Sequence, residues 1–303
     1  MSNILVNIKG LDSKEFPKGV TPLQIMKDIK GVSKDSIICK IDGELKDLSS
    51  TLKKDCELQF MDAKSKDGHS VLLHSTAHLM AQAVKRLFPK TKVTIGPYLE
   101  NRFYYDFDVE TPFTEDDLLK IENEMIKISE ENHEITHEVK SRDEALTYFE
   151  KIEENYKVEI INDLDKDEIL KVYSQGEFTD LCRGPHVQST GQIKHFKLLS
   201  SSAAYWRGDE KNQTLQRVYG TSFQNSKDLK KYLQMLEEQK KRDHRKIGKE
   251  LDLFFFDDEV GPGLPLWTPS GTVLIDELEA LAKEKETANG YLRVRTPHLT
   301  KGD

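Results

Sequence analysis

The sequence predicts an α+β fold made of a small N-terminal domain, a larger middle domain and the beginning of a third domain. The length of 303 residues exceeds that of one typical domain. Stretches that favour strands are interspersed with stretches of helical spacing, and the composition changes after residue 250 to an aromatic segment with glycine and proline. Hydrophobic residues make up 37% of the chain. This is enough to build real cores.

Residues 1–62 have the pattern of a ubiquitin-like β-grasp domain. ILVNIKG and KEFPKG predict two short strands, and TPLQIMKDI predicts a helix with Thr21 as N-cap and Pro22 at its first position. SIICKIDGELKDL predicts a hairpin that turns at Asp42-Gly43, and CELQFMD predicts a last strand. Domains of this kind usually bind or dock, and they rarely catalyse.

Residues 63–242 predict a mixed α+β domain. A polar linker around Gly68 leads into the helix HSVLLHSTAHLMAQAVKRLF, which ends at Pro89. Further strands and helices follow, and YKVEII is interpreted as a strand. A long basic helix over about 226–250 links this domain to the next.

Residues 243–303 predict an aromatic strand, a Gly/Pro loop, a helix and a strand. The segment that follows the linker helix is too short to bury a core alone, so we expect a truncated third domain.

The composition excludes several classes of protein. No window approaches 18 uncharged apolar residues, and the N-terminus lacks the basic and apolar regions of a signal peptide. Three scattered cysteines, Cys39, Cys56 and Cys182, are too few for a disulfide framework. These features predict a cytoplasmic protein without a membrane segment.

The charge is unevenly distributed around a formal net charge of −8. Acidic residues dominate 106–171, and basic residues dominate 183–249. The basic block is either a solvated helix face or a positive stripe that contacts nucleic acid.

Two short motifs suggest chemistry. HSTAH places His74 and His78 one helical turn apart, and CRGPH places Cys182 and His186 around a Gly-Pro turn, with Asp180 just before it. The four His and Cys residues are able to hold zinc tetrahedrally. The alternatives are a Cys–His nucleophile, an acid–base site that acts on bound water with a nearby lysine, or a purely structural role.

Several motifs in order, HSTAHLMAQAVKRLFP, FTDLCRGPHV, FKLLSSSAAYWRGDEKNQTLQRVYGTSF and KRDHRKIGKELDLF, closely resemble the N-terminal half of threonyl-tRNA synthetases. The resemblance covers essentially the whole chain. It implies a TGS domain at 1–62, an editing domain at 63–242 and the start of a class II catalytic domain at 243–303. GYLRVRTPHL, with Pro297, resembles class II motif 1, which lies at the dimer interface in that family.

The resemblance implies an editing site that removes serine from mischarged tRNA(Thr). The residues it assigns as catalytic are His74, Lys157, Asp180 and His186, and those it assigns to substrate binding are His78, Gly96, Tyr105 and Cys182. His74 and Lys157 activate water or the leaving ribose hydroxyl, and Asp180 holds the amino group of the seryl moiety. Tyr105 and the backbone near Gly96 shape the pocket. Cys182 and His186 line it and position water.

The family comparison implies no required metal in this site. Related alanyl-tRNA editing domains hold zinc with the same four residue types, so zinc on His74, His78, Cys182 and His186 is an alternative. One position departs from the family pattern: Arg102 stands where glycine commonly precedes FYYD.

The resemblance also implies what lies beyond residue 303. In the full-length family this comprises the sites for ATP, Mg²⁺ and a core zinc ion, together with most of a homodimer interface. The alternative functions are a non-catalytic tRNA-binding or regulatory fragment and a zinc-dependent alanyl-type editing protein.

Overall fold

The computed structural model describes residues 2–296. They form two compact units, the first ending at Lys230 and the second beginning at Lys231. Both helices and several sheets are present, which confirms the α+β class. The predicted domain boundaries at 62/63 and 242/243 stay predictions.

The first unit opens with a five-stranded mixed sheet and one helix. The elements are β1 (Asn3–Ile8), β2 (Lys14–Pro17), α1 (Pro22–Asp28), β3 (Ser36–Ile41), β4 (Glu44–Lys46) and β5 (Cys56–Asp62). The strand order is β2-β1-β5-β3-β4, with β1 and β5 parallel and the other pairs antiparallel. The predicted helix cap is confirmed, since Thr21 accepts a hydrogen bond from the Gln24 N–H and proline follows it. The predicted turn is confirmed too, since Asp42 and Gly43 both have positive φ.

The rest of the first unit surrounds one long buried helix. Its elements are α2 (Lys66–Leu87), β6 (Lys92–Val93), β7 (Tyr98–Leu99), β8 (Arg102–Asp108), α3 (Glu115–Glu131), β9 (Ile135–Lys140), α4 (Arg142–Lys151), α5 (Asn155–Asp163), β10 (Leu170–Gln175), β11 (Phe178–Leu181), β12 (His195–Tyr205) and β13 (Thr214–Phe223). One antiparallel sheet has the order β12-β13-β8-β6, with β7 also paired to β8, and a second has the order β11-β10-β9. Helix α2 packs against β8, β13 and α3, and its apolar side chains form the main core with Phe103 and Phe107 of β8.

Two predictions about local structure are wrong in this region, and one strand was missed. The proposed linker around Gly68 is the first turn of α2, because Ser65 accepts a hydrogen bond from the Gly68 N–H and caps the helix. YKVEII is helical in α5, since Lys157 and Ile161, four residues apart, are both buried on one face. Tertiary packing there overrides the strand preference of the β-branched residues. Strand β13 was not predicted as a separate element.

The second unit begins within helix α6 (Ser226–Lys241) and continues with α7 (His244–Glu250), β14 (Phe254–Phe255), β15 (Leu266–Trp267) and α8 (Pro269–Ala288). The predicted basic helix over 226–250 is two helices. Asp243 is non-helical and forms the N-cap of α7, where its side chain accepts a hydrogen bond from the Arg245 N–H. The strand predicted near the C-terminus is absent from 291–296, and Pro297 lies outside the described residues. Across 2–296, no helix combines the length and apolar character needed to span a bilayer.

Candidate active site

Four elements of the first unit bring the predicted site residues together. Helix α2 carries His74 and His78 on one face, one turn apart. Strand β8 supplies Tyr105, and helix α5 supplies Lys157. The remaining groups come from β11 and the loop that follows it, and they are Asp180, Cys182 and His186.

The first half of the site is an imidazole–thiol cluster, formed by His74, His78, Cys182 and His186. The Cys182 Sγ lies 3.3 Å from His74 Nε2 and 3.2 Å from His186 Nε2. The His186 ring centroid is 4.5 Å from that of His74 and 4.3 Å from that of His78. His74 and Cys182 are partly exposed and the other two are buried, so the cluster opens to the surface on the His74 side.

Ser75, between the two helix histidines, orients the His186 ring. Its Oγ lies 3.0 Å from His186 Nδ1 and accepts a hydrogen bond of 3.1 Å from the Val187 N–H. With that oxygen already accepting, the hydroxyl hydrogen is best used as a donor to Nδ1. This assigns the proton of neutral His186 to Nε2, which then donates toward Cys182 Sγ.

The second half is the Lys157–Asp180 centre. The Lys157 Nζ lies 2.5 Å from Asp180 Oδ1 and donates to the Thr94 carbonyl at 2.6 Å and to the Tyr105 hydroxyl at 3.0 Å. Tyr105 in turn donates to Asp180 Oδ2 at 2.6 Å. The His78 Nε2 lies 3.7 Å from the same Oδ2, so His78 joins the two halves.

Burial sets the charge of the imidazole–thiol cluster. Desolvation lowers the pKa of His74 to about 3 and that of His78 to about 4, and it lowers the pKa of His186 well below its ordinary value. Desolvation also raises the pKa of the Cys182 thiol to about 12. At neutral pH the histidines are therefore uncharged, and the thiol keeps its proton.

Asp180 behaves differently under the same burial. Desolvation by itself would raise its pKa, but the charge of Lys157 and hydrogen bonds from Lys157 and Tyr105 outweigh it, and the pKa lies below its ordinary value. Burial and the charge of Asp180 keep the Tyr105 hydroxyl protonated, since both raise its pKa. Asp180 is therefore a carboxylate at neutral pH.

Two glycines allow the close packing around these groups. A Cβ built on Gly96 would lie 2.2 Å from Tyr105 Cδ2, so the backbone of this loop lies directly against the Tyr105 ring. Gly184, in the loop between Cys182 and His186, has φ of +67°. A Cβ there would lie 1.9 Å from the Tyr173 hydroxyl, so this position is also in close contact with a tyrosine. A larger residue at either position requires the loop to move.

Several residues at the site were not found from the sequence. Ser75 lies inside HSTAH, so its place between two histidines was an available signal. Thr94 contributes its backbone carbonyl. Tyr173 contacts the CRGPH loop from the neighbouring strand β10, and Asp47 contacts it from a segment far away in sequence. No local pattern marks these last three.

The imidazole–thiol cluster has the donor set of a zinc site. One ligand atom from each of its four residues lies within 4.8 Å of the other three. Three imidazoles and one thiol match the ligands that tetrahedral zinc prefers, and zinc would displace the thiol proton despite its high pKa. The residues therefore fit a zinc ion as well as a metal-free arrangement.

Known proteins resemble the chain at two levels. A family described as "Threonyl and Alanyl tRNA synthetase second additional domain" matches residues 170–219, which include Asp180, Cys182 and His186. Three threonine–tRNA ligases align with nearly the whole chain. The ligase of Pelobacter propionicus is 50% identical, and the alignment covers 99% of this chain and 47% of the ligase. The ligase of Staphylococcus saprophyticus is 47% identical, with 100% of this chain and 47% of the ligase covered. The ligase of Acetivibrio thermocellus is 46% identical, with 97% of this chain and 46% of the ligase covered.

Residues 170–219 thus match a domain type that threonyl and alanyl tRNA synthetases share. The chain is a relative of the threonine–tRNA ligases along nearly its full length, which confirms the family predicted from its motifs. It spans about half the length of the curated relatives it matches.

Proposed function

We propose that the site hydrolyses the ester of Ser-tRNA(Thr), releasing serine and free tRNA. The observation that carries the proposal is the pairing of neutral imidazoles with a buried ion pair, which lie in contact through His78 and Asp180. Ester hydrolysis needs a neutral base or orienting group for water and a cation near the developing negative charge. The relation to threonine–tRNA ligases supports the choice of tRNA as the substrate.

The arrangement suggests a role for each group. His74 is partly exposed at the mouth of the cluster, and together with Lys157 it activates the water or the leaving ribose hydroxyl. Asp180 remains ionised, and its carboxylate keeps lone pairs free to hold the amino group of the seryl moiety. Cys182 and His186 line the cluster and position water, and His78 contacts the substrate.

The need for such a site follows from the small difference between serine and threonine. Serine lacks one methyl group, a difference worth about 1–3 kcal/mol in binding, so a synthetic site attaches it at times. A second site that has no room for the methyl group hydrolyses serine and spares threonine. Tyr105, held against the Gly96 backbone, shapes that pocket.

The test is deacylation of Ser-tRNA(Thr) by the 303-residue chain, with Thr-tRNA(Thr) in parallel. We expect serine to be released and threonine to be spared, and we expect His74→Ala and Lys157→Ala each to remove the activity. Lys166→Ala alters an exposed lysine just beyond α5 and serves as the matched control. A wild-type chain that releases neither amino acid contradicts the proposal.

The zinc alternative is favoured by one observation, the closeness of the four ligand atoms in the imidazole–thiol cluster. It predicts stoichiometric zinc in the purified protein and a deacylation rate that falls when a chelator removes the metal. The metal-free proposal predicts the same rate with and without chelator.

Further proposals concern the domains of this chain and the partners of the full-length family. We propose a TGS domain at 1–62, an editing domain at 63–242 and the start of a class II catalytic domain at 243–303. Threonine activation, with its ATP, Mg²⁺ and core zinc, would then require sequence beyond residue 303. The partners would be tRNA(Thr) and a second subunit, in the cytoplasm.

A further inference from the structure

Asp47 lies at the end of the N-terminal hairpin, directly after β4, yet its carboxylate contacts the candidate active site. The residue is 6% exposed. Its Oδ1 accepts a hydrogen bond of 2.8 Å from the backbone N–H of His186, and its Oδ2 accepts one of 2.9 Å from the Tyr173 hydroxyl. The Nδ1 of His137 lies 3.7 Å from Oδ2.

The partners of Asp47 all belong to the middle part of the chain. Among the described residues, its side-chain hydrogen bonds and ion contacts go to His186, Tyr173 and His137 and to none of the N-terminal sheet. A buried carboxylate is costly unless donors satisfy it. This one is satisfied only by the region that carries the site, so stability of the N-terminal sheet does not account for it.

Tyr173 extends the contact to the whole CRGPH loop. Its ring centroid is 4.6 Å from that of His186, and its hydroxyl occupies the space that a side chain at Gly184 would need. Asp47 therefore holds one end of the loop directly, through the His186 N–H, and supports its middle through Tyr173. Cys182, at the other end, lies 3.2 Å from His186.

We infer that Asp47 is a positioning residue for the proposed deacylation site, and that the N-terminal sheet completes this site. The inference rests on the proposed function. Asp47 fixes the His186 ring relative to the two histidines of α2, and it does so from a part of the chain that carries none of the other site residues. A displacement of about 1 Å in such a group is able to lower a rate about a hundredfold.

Asp47→Ala and Asp47→Asn in the 303-residue chain test this role. The alanine variant leaves the His186 N–H and the Tyr173 hydroxyl unpaired, so we expect kcat for Ser-tRNA(Thr) to fall about tenfold or more with a smaller change in KM. In the asparagine variant the side-chain oxygen still accepts from His186 and the amide donates to the Tyr173 oxygen, so we expect most of kcat to return. Asp35→Ala, which removes an exposed carboxylate in the turn just before β3, is the matched control.

NMR of isotope-labelled histidine rings supplies a readout that does not depend on activity. We expect the His186 ring signals to shift in Asp47→Ala and to return toward wild type in Asp47→Asn, while the Asp35→Ala spectrum is unchanged. Wild-type kcat together with unshifted His186 signals in a folded Asp47→Ala overturns the inference.

The failures of the two proposals are distinguishable. A wild-type chain that does not deacylate contradicts the proposed function, and the His186 signals then decide the role of Asp47 alone. If Asp47→Ala does not fold, Tyr173→Phe removes one of the two hydrogen bonds, and a lower kcat with shifted His186 signals is the expected result. Wild-type kcat and unshifted signals in Tyr173→Phe overturn the inference.

Discussion

The imidazole–thiol cluster and the Lys157–Asp180 centre lie side by side in the same buried site, but they meet the cost of burial in opposite ways. In the cluster, desolvation lowers the pKa values of the histidines and raises that of Cys182, so each group takes its neutral form. In the centre, Asp180 stays ionised because Lys157 and Tyr105 compensate its burial. Burial therefore sets a charge state only where no partner opposes it.

The comparison explains how one pocket can offer both parts of an ester hydrolysis. The neutral imidazoles are able to accept or orient protons of water near neutral pH, and the ion pair provides fixed charge for the amino group and the developing oxyanion. His78 touches both halves, since it packs against His186 and lies 3.7 Å from Asp180. Each half can be disturbed separately, and the expected effects differ in kind.

The largest effect is expected from breaking the Lys157–Asp180 pair. Lys157→Met leaves an unpaired carboxylate in a fully buried position, so we expect it to lower the free energy of unfolding by about 3–5 kcal/mol and to abolish deacylation. Urea denaturation and serine release measure the two consequences.

A double variant tests whether the loss of stability comes from the unpaired charge of Asp180 or from the changed shape of residue 157. Lys157→Met with Asp180→Asn removes both charges, so it should recover much of the stability lost in Lys157→Met while remaining inactive. If Lys157→Met alone unfolds at the wild-type urea concentration, the description of a buried, mutually dependent pair is wrong.

Part of this site was predictable from the sequence, and the limits have physical causes. HSTAH and CRGPH predicted the imidazole–thiol cluster because helical spacing fixes which face His74 and His78 share. Lys157 was assigned only through the family resemblance. The segment around Lys157 was predicted as a strand. It is helical because Ile161 packs against the neighbouring sheet, and the local sequence does not reveal that contact.

Contacts between distant segments were beyond sequence reasoning. Ser75 meets His186 across 111 residues, and Asp47 meets the same residue across 139. Neither has a local pattern that specifies its partner. The α+β class was predicted correctly because it depends only on the mixture of strand and helix periodicities.

The next largest effect is the dependence of stability on pH, and it should come mainly from the imidazole–thiol cluster. The folded pKa values of His74, His78 and His186 lie below the ordinary value, so the unfolded chain binds more protons as the pH falls below about 6.5. We expect stability to be retained above pH 6.5 and to fall toward pH 4, by up to about 1.4 kcal/mol per pH unit for each histidine. Urea midpoints between pH 7.5 and 4.5, in steps of about one unit, measure this slope.

Two variants test the origin of the slope. His78→Gln removes one of the buried histidines and should flatten the pH dependence, whereas His244→Gln alters an exposed histidine of the second unit and should leave it unchanged. Equal slopes in wild type and His78→Gln would show that the acid sensitivity arises elsewhere.

The smallest effect is expected from a substitution of Ser75, an uncharged residue that orients the His186 ring in the imidazole–thiol cluster. Ser75→Ala leaves the buried Val187 N–H without its acceptor and removes the donor to His186 Nδ1, so it should cost about 1–3 kcal/mol of stability. It also frees His186 to take the other tautomer, and we expect kcat for serine release to fall about tenfold with little change in KM.

Ser70→Ala is the matched control for this variant, since Ser70 is on the same helix and its hydroxyl donates to the Lys66 carbonyl one turn back. It should keep the wild-type kcat and urea midpoint. A Ser75→Ala chain with unchanged kcat would mean that Cys182 and Asp47 fix the His186 ring without help from the hydroxyl. The order of the cluster would then depend on the CRGPH loop and on Asp47, and α2 would contribute only its two histidines.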